Sequence, residues 1–514
     1  MSFELNPLGT VRCRLGALGV VSTPFPEKLL ATEALQELGR EAIYRAWEIA
    51  RLVSMATPTE REATVSLLLA TMAEMARGST RLGIGSLEGV LRELGVEDEQ
   101  VETVLRLLDG GDLAEILGGP DDYKPLIGEG DYLYHQRAFR QEKRVANGLR
   151  ERLRDKTTVF AFDRIVDALD GILGHRAILR GRPMQLSAEQ QVAVRTALTR
   201  RITTISGGPG SGKTFVLADI LRVLARMDVP MRRVALAAPT GKAAKRVEEA
   251  LVDLLRAVEN PGSADRRLMD EAPEPKTIHR LLGYSPRTGR YRHDERNLLQ
   301  KDFVLIDEAS MIGLELMDRL LSALKPGAHL VLLGDADQIP SVEGGSVFHD
   351  IRRPKHHVEL KTSHRMDQGA AGGRSLLTVA TLAKKGSVDD LFSESGIASR
   401  SKCEEVRFEG VELLEGDHPR FYEQWLEEKL RNPPFLELAA APLSCPFEQL
   451  DIDVLEDLFA RVGSYQILCV RNRDARRINS RHRIGELGVP VMMRRNDYRR
   501  ELYNGEQGLL LDVG

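Results

Sequence analysis

Cysteine is scarce. The 514-residue chain has four, Cys13, Cys403, Cys445 and Cys469, and no two stand close enough to form a CxxC pair. That spacing suggests neither a disulfide framework nor a zinc-ligating cluster, and it points to a reducing compartment. No run of 18 residues is free of charge, and the N-terminal stretch lacks a basic segment followed by an apolar one. Membrane spans and a secretory leader are therefore not expected, and a cytoplasmic location is. Neither sign of charge dominates either: 72 Lys and Arg stand against 76 Asp and Glu, a formal net charge of -4. This excludes a histone-like polycation but leaves room for a local basic groove. Internal repeats and low-complexity tracts are missing, which argues against solenoids and arrays. What is present is a globular balance, 42% hydrophobic and 29% charged. At roughly 150 residues per domain, the length suits three or four domains.

Residues 1–180 read as a mostly helical domain. Residues 31–76 are rich in Ala, Leu, Glu and Arg, with apolar residues three and four apart. A second amphipathic stretch, 130–153, carries Tyr132, Tyr134, Phe139 and Val145, a stripe best read as core packing. Between them, Gly, Pro and Asp cluster over 110–130 as a loop. From Arg201 the texture changes. Short apolar runs at 202–206, 234–239, 303–308 and 329–335 read as strands, with helical patterns at 213–225, 241–255 and 313–324. Continuous apolar strands alternating with helices predict an α/β domain whose parallel sheet is covered on both faces. Beyond Asp367 the pattern loosens. Loops are expected at 369–373 and 393–420, a strand near 466–470, and a helix from about 473.

The strongest motif is Gly207-Gly208-Pro209-Gly210-Ser211-Gly212-Lys213-Thr214, which matches GxxxxGK[ST] directly after a strand and at the start of a helix. Glycines let backbone N–H groups turn inward around a triphosphate, and the helix N-terminus adds positive potential. Lys213 would then reach the β- and γ-phosphates of ATP, and Thr214 would coordinate Mg²⁺. Downstream, Asp307-Glu308 ends the apolar run Phe303–Ile306. An acidic pair ending a strand is usually solvated surface. With a P-loop upstream it suits a Mg²⁺ ligand, Asp307, beside a carboxylate that orients attacking water, Glu308. Gln338, in Gly334-Asp335-Ala336-Asp337-Gln338, ends the next run and can both donate and accept, as a γ-phosphate sensor must. Arg365 follows near a domain junction, where an arginine can reach transition-state charge, a role worth about 10³ to 10⁵ in rate. Two further segments suit nucleic-acid phosphates. Pro239-Thr240-Gly241-Lys242 puts a hydroxyl and an ammonium at a helix start, and Thr277-Ile278-His279-Arg280 adds another hydroxyl and cation pair. After them Arg287, Arg290, Tyr291, Arg292 and His293 surround Thr288-Gly289, which reads as a basic β-hairpin over 284–300.

In this order the motifs resemble the superfamily 1 DNA helicases, and among them the RecD family. Leu186-Ser187-Ala188-Glu189-Gln190 is similar to the family's adenine-reading motif, with Gln190 in the reading position. Residues 238–244 resemble motif Ia, 277–283 motif Ib, and Asp307-Glu308-Ala309-Ser310-Met311 motif II. Ser341-Val342-Glu343 resembles the RecD version of motif III. Tyr134-His135-Gln136-Arg137 resembles the helix before the RecD motor, and 495–498 and 503–508 the approach to an insertion in its second motor domain.

The resemblance implies P-loop NTPase (RecA-like) parallel-sheet domains, a first over 181–365 and a second over 366–514, behind the helical N-terminal domain. It implies an ATP- and Mg²⁺-dependent 5′–3′ DNA helicase that engages single strands and duplex ends in double-strand break repair. RecB-like and RecC-like subunits would complete a heterotrimer, with the N-terminal region as the docking surface. Motifs V and VI have no counterpart before Gly514, so the second RecA-like domain is expected to be incomplete. Two other functions fit the same motifs: a nucleotide-binding regulatory or assembly subunit that does not translocate, and a stand-alone RecD-like helicase.

Overall fold

The computed structural model describes most of residues 38–361 and, beyond them, segments between 371 and 510. The N-terminal part is helical around one buried helix. Helices α1 (Arg40–Ala50), α2 (Pro58–Ala76), α3 (Leu87–Glu93) and α4 (Asp98–Gly110) share a core with Leu82, Leu126 and Leu133. The Thr57 hydroxyl and the Glu60 carboxylate start α2 with a reciprocal capping box, and Val65 to Ala70 are buried all round. A small sheet completes this part: β1 (Arg81–Gly83), β2 (Leu117–Gly118), β3 (Leu126–Glu129) and β4 (Tyr132–His135), in the order β1-β4-β3-β2. The expected loop over 110–130 therefore contains two strands. The expected helix at 130 begins later, as α5 (Gln136–Arg154). Tyr134 and Phe139 pack edge to face in the core, ring centroids 5.3 Å apart, but Tyr132 is exposed beneath the Arg81 guanidinium.

The chain then runs through α6 (Phe162–Gly174), a short antiparallel pair, β5 (Ala177–Leu179) and β6 (Arg182–Met184), and α7 (Ala188–Thr199). Next come β7 (Ile202–Gly207), α8 (Lys213–Arg226), β8 (Val234–Ala238), α9 (Gly241–Arg256), α10 (Ser263–Glu271) and β9 (Lys276–Thr277). They are followed by α11 (Ile278–Leu281), β10 (Phe303–Ile306), α12 (Leu314–Ala323), β11 (His329–Gly334), α13 (Val347–Asp350) and β12 (His357–Leu360). Strands β7 to β12 make one parallel sheet in the order β12-β7-β11-β10-β8-β9.

The expected strands and helices fall within two residues of their observed ends, because two-sided burial makes such strands uniformly apolar. Strand pleating sends alternate residues to opposite faces. Val234, Leu236, Phe303, Leu305, Val331 and Leu333 join the core formed with α6 to α10. Ala235, Ala237, Val304, Ile306, Leu330 and Leu332 join the other, with α5, α11, α12 and α13. Val145 and Leu149 of α5 belong to this second core, while Phe139 near its start packs against Tyr134 of the small sheet, so α5 joins the N-terminal part to the main sheet.

Beyond residue 366 the described residues include helices Ala371–Lys385, His418–Lys429 and Asn472–Asn479. Strands Ala398–Arg400 and Glu412–Leu414 pair in parallel, and Val489–Met492 and Gln507–Leu510 antiparallel. The expected loops at 369–373 and 393–420 thus hold regular structure, whereas 466–469 hold none. The rest of the expected second domain lies outside the described residues.

Candidate functional site

All the candidate chemistry that the structure describes sits at one edge of the main sheet, where the parallel strands end. In such folds the helix N-termini and loop N–H groups converge there. Strand β7 delivers the P-loop. Gly207 allows the close return of the chain, since a Cβ there would meet Ser211 Oγ and stand 3.0 Å from Leu360 Cβ. Gly212 has φ +82°, a left-handed turn that favours glycine, and ends the loop where α8 begins. Lys213 Nζ donates to the carbonyls of Gly207 at 2.5 Å and Gly208 at 3.2 Å, which holds the ammonium over the loop. Thr214 follows in the first turn of α8, half-buried. Ser211 Oγ is buried without a hydrogen-bond partner, so the cradle retains a polar atom that the protein does not satisfy.

Asp307 and Glu308 follow β10, separated from β7 by β11 alone. Asp307 is 7% exposed, and burial pushes its carboxyl up to about 6. The Glu308 N–H, donated to Asp307 Oδ1 at 2.9 Å, opposes that rise; the Glu308 carboxylate reinforces it, and the Lys213 ammonium opposes it. A carboxyl held this way suits a cation, because a positive charge would relieve both the burial and the like charge. Among the described residues no cluster of three or more His, Cys, Asp or Glu could hold a metal ion. Glu308 takes φ +53°, an uncommon conformation for a residue with a side chain, and the bend leads into the 3₁₀ turn Ala309–Met311.

Gln338 is exposed beyond β11, and its Nε2 donates to Asp335 Oδ2 at 3.0 Å. Asp335 is buried and also accepts the Asp337 N–H at 3.0 Å, so it fixes the turn that carries the Gln338 amide. The motif showed Gln338; Asp335 gave no separate signal. Arg365 lies outside the described residues, as do Ser341, Val342 and Glu343 of motif III.

Gln190 is 2% exposed and its amide is bonded at both ends: Oε1 accepts the Ser187 N–H at 2.9 Å and Nε2 donates to Ser211 O at 3.1 Å. In this geometry it braces the P-loop from α7, and the amide keeps one further N–H and one further carbonyl lone pair. The neighbouring Glu189, which the sequence did not single out, accepts the Lys361 N–H at 2.9 Å and ties α7 to the end of β12.

The two proposed nucleic-acid grips lie side by side, because Ala238 and Thr277 are register partners on β8 and β9. After Pro239, the Thr240 hydroxyl caps α9 by accepting the Ala243 N–H at 3.2 Å, and Lys242 is exposed. Thr277 caps α11 by accepting the Arg280 N–H at 3.1 Å. The His279 ring packs on Tyr284 and Tyr291, with centroids 5.4 and 6.0 Å away. The expected hairpin over 284–300 is instead two tight turns, each closed by one bridge, Ser285 to Arg290 and Asp294 to Asn297.

A parallel sheet with a P-loop after one strand and an acidic pair after another defines a P-loop NTPase domain. Sequence comparison narrows the class. Residues 190–344 match the family described as AAA domain. The RecBCD enzyme subunit RecD of Mycolicibacterium smegmatis is 33% identical over 350 residues, which cover 63% of this chain and 57% of that protein. The ATP-dependent RecD2 DNA helicase of Deinococcus radiodurans is 36% identical over 163 residues, 31% of this chain and 19% of that one. A solved Pif1 helicase from Bacteroides, in complex with ADP-AlF3 and ssDNA, aligns at 17% identity over 64% of this chain and 71% of that one, with a TM-score of 0.30. The chain is thus similar to RecD subunits, and it spans about half the length of the first curated relatives it matches. Among the described residues, no helix is long and apolar enough to cross a membrane.

Proposed function

We propose that the chain is an ATP-dependent 5′–3′ DNA helicase subunit of a RecBCD-type helicase/nuclease. It would act in the cytoplasm on duplex ends and single strands, with RecB-like and RecC-like partners, in recombinational repair of double-strand breaks. The similarity to RecD subunits supports the partners and the polarity. Lys213 and the buried Asp307 support the chemistry, since they stand at the ends of strands flanking β11.

Lys213 has two neutral carbonyls as partners, and ATP phosphate oxygens offer the ammonium a stronger, charge-assisted exchange. Thr214 and Asp307 are the residues to hold Mg²⁺, which would neutralise charge on the β- and γ-phosphates. Glu308 orients the attacking water and takes up its proton. Gln338, steadied by Asp335, responds to the presence of the γ-phosphate. Pro239, Thr240, Lys242, Thr277 and His279 hold the DNA backbone on the same sheet edge, and Arg365, near the junction of the two domains, supplies positive charge to the transition state.

Lys213→Ala tests this reading. ATP hydrolysis stimulated by single-stranded DNA should vanish while the circular dichroism spectrum is unchanged. Turnover equal to the parent chain would refute the site. Nucleotide binding with no DNA-stimulated hydrolysis in the parent chain would favour an assembly subunit over a motor.

A further inference from the structure

Helix α12 starts six residues after Glu308 and meets the N-terminal part of the molecule along its first two turns. The Arg144 guanidinium on α5 grips the Asp318 carboxylate with a two-point fork, Nε to Oδ1 at 2.9 Å and Nη2 to Oδ2 at 2.5 Å. Arg137 pairs with Glu315 one turn earlier. At the start of the helix, the Leu314 N–H donates to Gly344 O at 3.1 Å, in the stretch that follows Gln338. The next residue, Gly345, donates its N–H to Gly78 O at 2.9 Å, just past the end of α2. Gly345 takes φ +89°, and a Cβ on it would stand 2.8 Å from Leu314 Cβ and 3.2 Å from Thr80 Cγ2. Three parts of the protein meet at Gly345 with no space for a side chain.

We propose that the N-terminal part is a positioning element for ATP hydrolysis. Through Arg144–Asp318 and Gly78–Gly345 it fixes Gly345 and the start of α12 relative to Asp307 and Glu308. The inference rests on the functional reading above and deepens it. Adhesion alone does not require these contacts, because Val145 and Leu149 of α5 already bury apolar surface against the α12 side of the sheet. A fork onto a carboxylate that is 3% exposed adds direction, since its strength depends on both N–H···O alignments. One anchor lies on the helix downstream of the acidic pair, and the other lies on the loop downstream of the sensor. A small shift of either would separate groups that must act on one phosphate.

The experiment compares Arg144→Gln, Arg144→Lys, Asp318→Asn, the Arg144→Gln/Asp318→Asn double variant and Gly345→Ala in the full chain. Arg144 is 53% exposed on its side chain, so its replacement opens no cavity, but Arg144→Gln strands the buried Asp318 carboxylate, and Asp318→Asn in the double variant relieves that. Steady-state ATP hydrolysis with single-stranded DNA gives kcat, and a fluorescent ADP analogue gives nucleotide Kd. Misplacement of this kind should lower kcat by about 10- to 100-fold in Arg144→Gln and Gly345→Ala. Nucleotide Kd should stay close to that of the parent. Arg144→Lys should recover part of kcat, and the double variant should be no slower than the slower single one, as expected of one coupled unit. Parental kcat in folded Arg144→Gln and Gly345→Ala, with only the melting temperature lowered, would overturn the inference alone. A parent chain without ATPase activity would overturn the functional reading and this inference with it.

Discussion

At the scale of single residues, Asp307 shows how burying a carboxylate costs stability. Burial raises its carboxyl from the 3.8 of an unfolded chain to about 6. The folded state therefore keeps the proton longer than the unfolded state, and stability falls as the pH rises between those two values. At neutral pH the full penalty is present, roughly 3 kcal/mol for a shift of this size. Asp307→Asn removes the charge without changing the shape. It should abolish ATP turnover yet raise the melting temperature by several degrees at pH 7.5, with little gain at pH 4. A melting temperature at pH 7.5 below that of the parent would count against the buried-charge account. The identity of Asp307 could be read from its motif, because a short run of consecutive residues carries the chemistry. Asp335 and Glu189 could not. What matters about them is a partner, the Gln338 amide or the Lys361 N–H, and in the second case that partner is far away in sequence. Gln190 shows a mixed case: its motif was legible, but its bonds to the Ser187 N–H and the Ser211 carbonyl, which tie α7 to the P-loop, were not.

Among the elements, α8 carries the P-loop lysine and is buried from Phe215 to Ala225, including two charged side chains. Arg222 donates to Asp219 Oδ1 and Asp265 Oδ1, both at 3.0 Å, and to His175 O at 2.7 Å. Arg226 adds contacts of 2.9 and 2.6 Å to the two oxygens of Asp265 on α10. Burial raises the pKa of Asp219 and the Arg222 guanidinium opposes it, so the aspartate depends on its partner. Removing one member of such a set strands the others, at a cost of about 3–5 kcal/mol. Asp265→Ala should therefore lower the urea midpoint markedly while leaving the nucleotide affinity of the folded fraction nearly unchanged. A small midpoint shift would mean that water or relaxation satisfies both arginines. None of this network was visible in the sequence, where α8 reads as an ordinary amphipathic helix. Strands β7, β8, β10 and β11 were visible, as apolar runs of four to six residues. Strands β1 to β4 and β9 have two to four residues, too few to establish a period, and β12 alternates in burial at the sheet edge.

For the molecule as a whole, composition suggested a helical domain followed by an α/β domain, and α5 packs against both. Helix α5 looks from sequence like the last helix of the first domain. Its Val145 and Leu149 instead share a core with Ile202, Met317 and Leu320. A fragment of residues 136–361 should therefore fold, whereas one of residues 156–361 would expose the α12 face that α5 covers. Two buried aliphatic side chains contribute about 1.5–3 kcal/mol each, and the Arg144–Asp318 fork would be lost as well. The shorter fragment should melt several degrees below the longer one or aggregate; equal melting temperatures would show that α5 is dispensable to the motor core. A fragment of residues 136–514 also separates adhesion from positioning. It keeps α5, Arg365 and the residues after it but lacks Gly78, so it should bind nucleotide like the full chain and hydrolyse ATP more slowly. The hydrogen bond from Gly345 to Gly78 and the close approach of Thr80 to Gly345 are then gone.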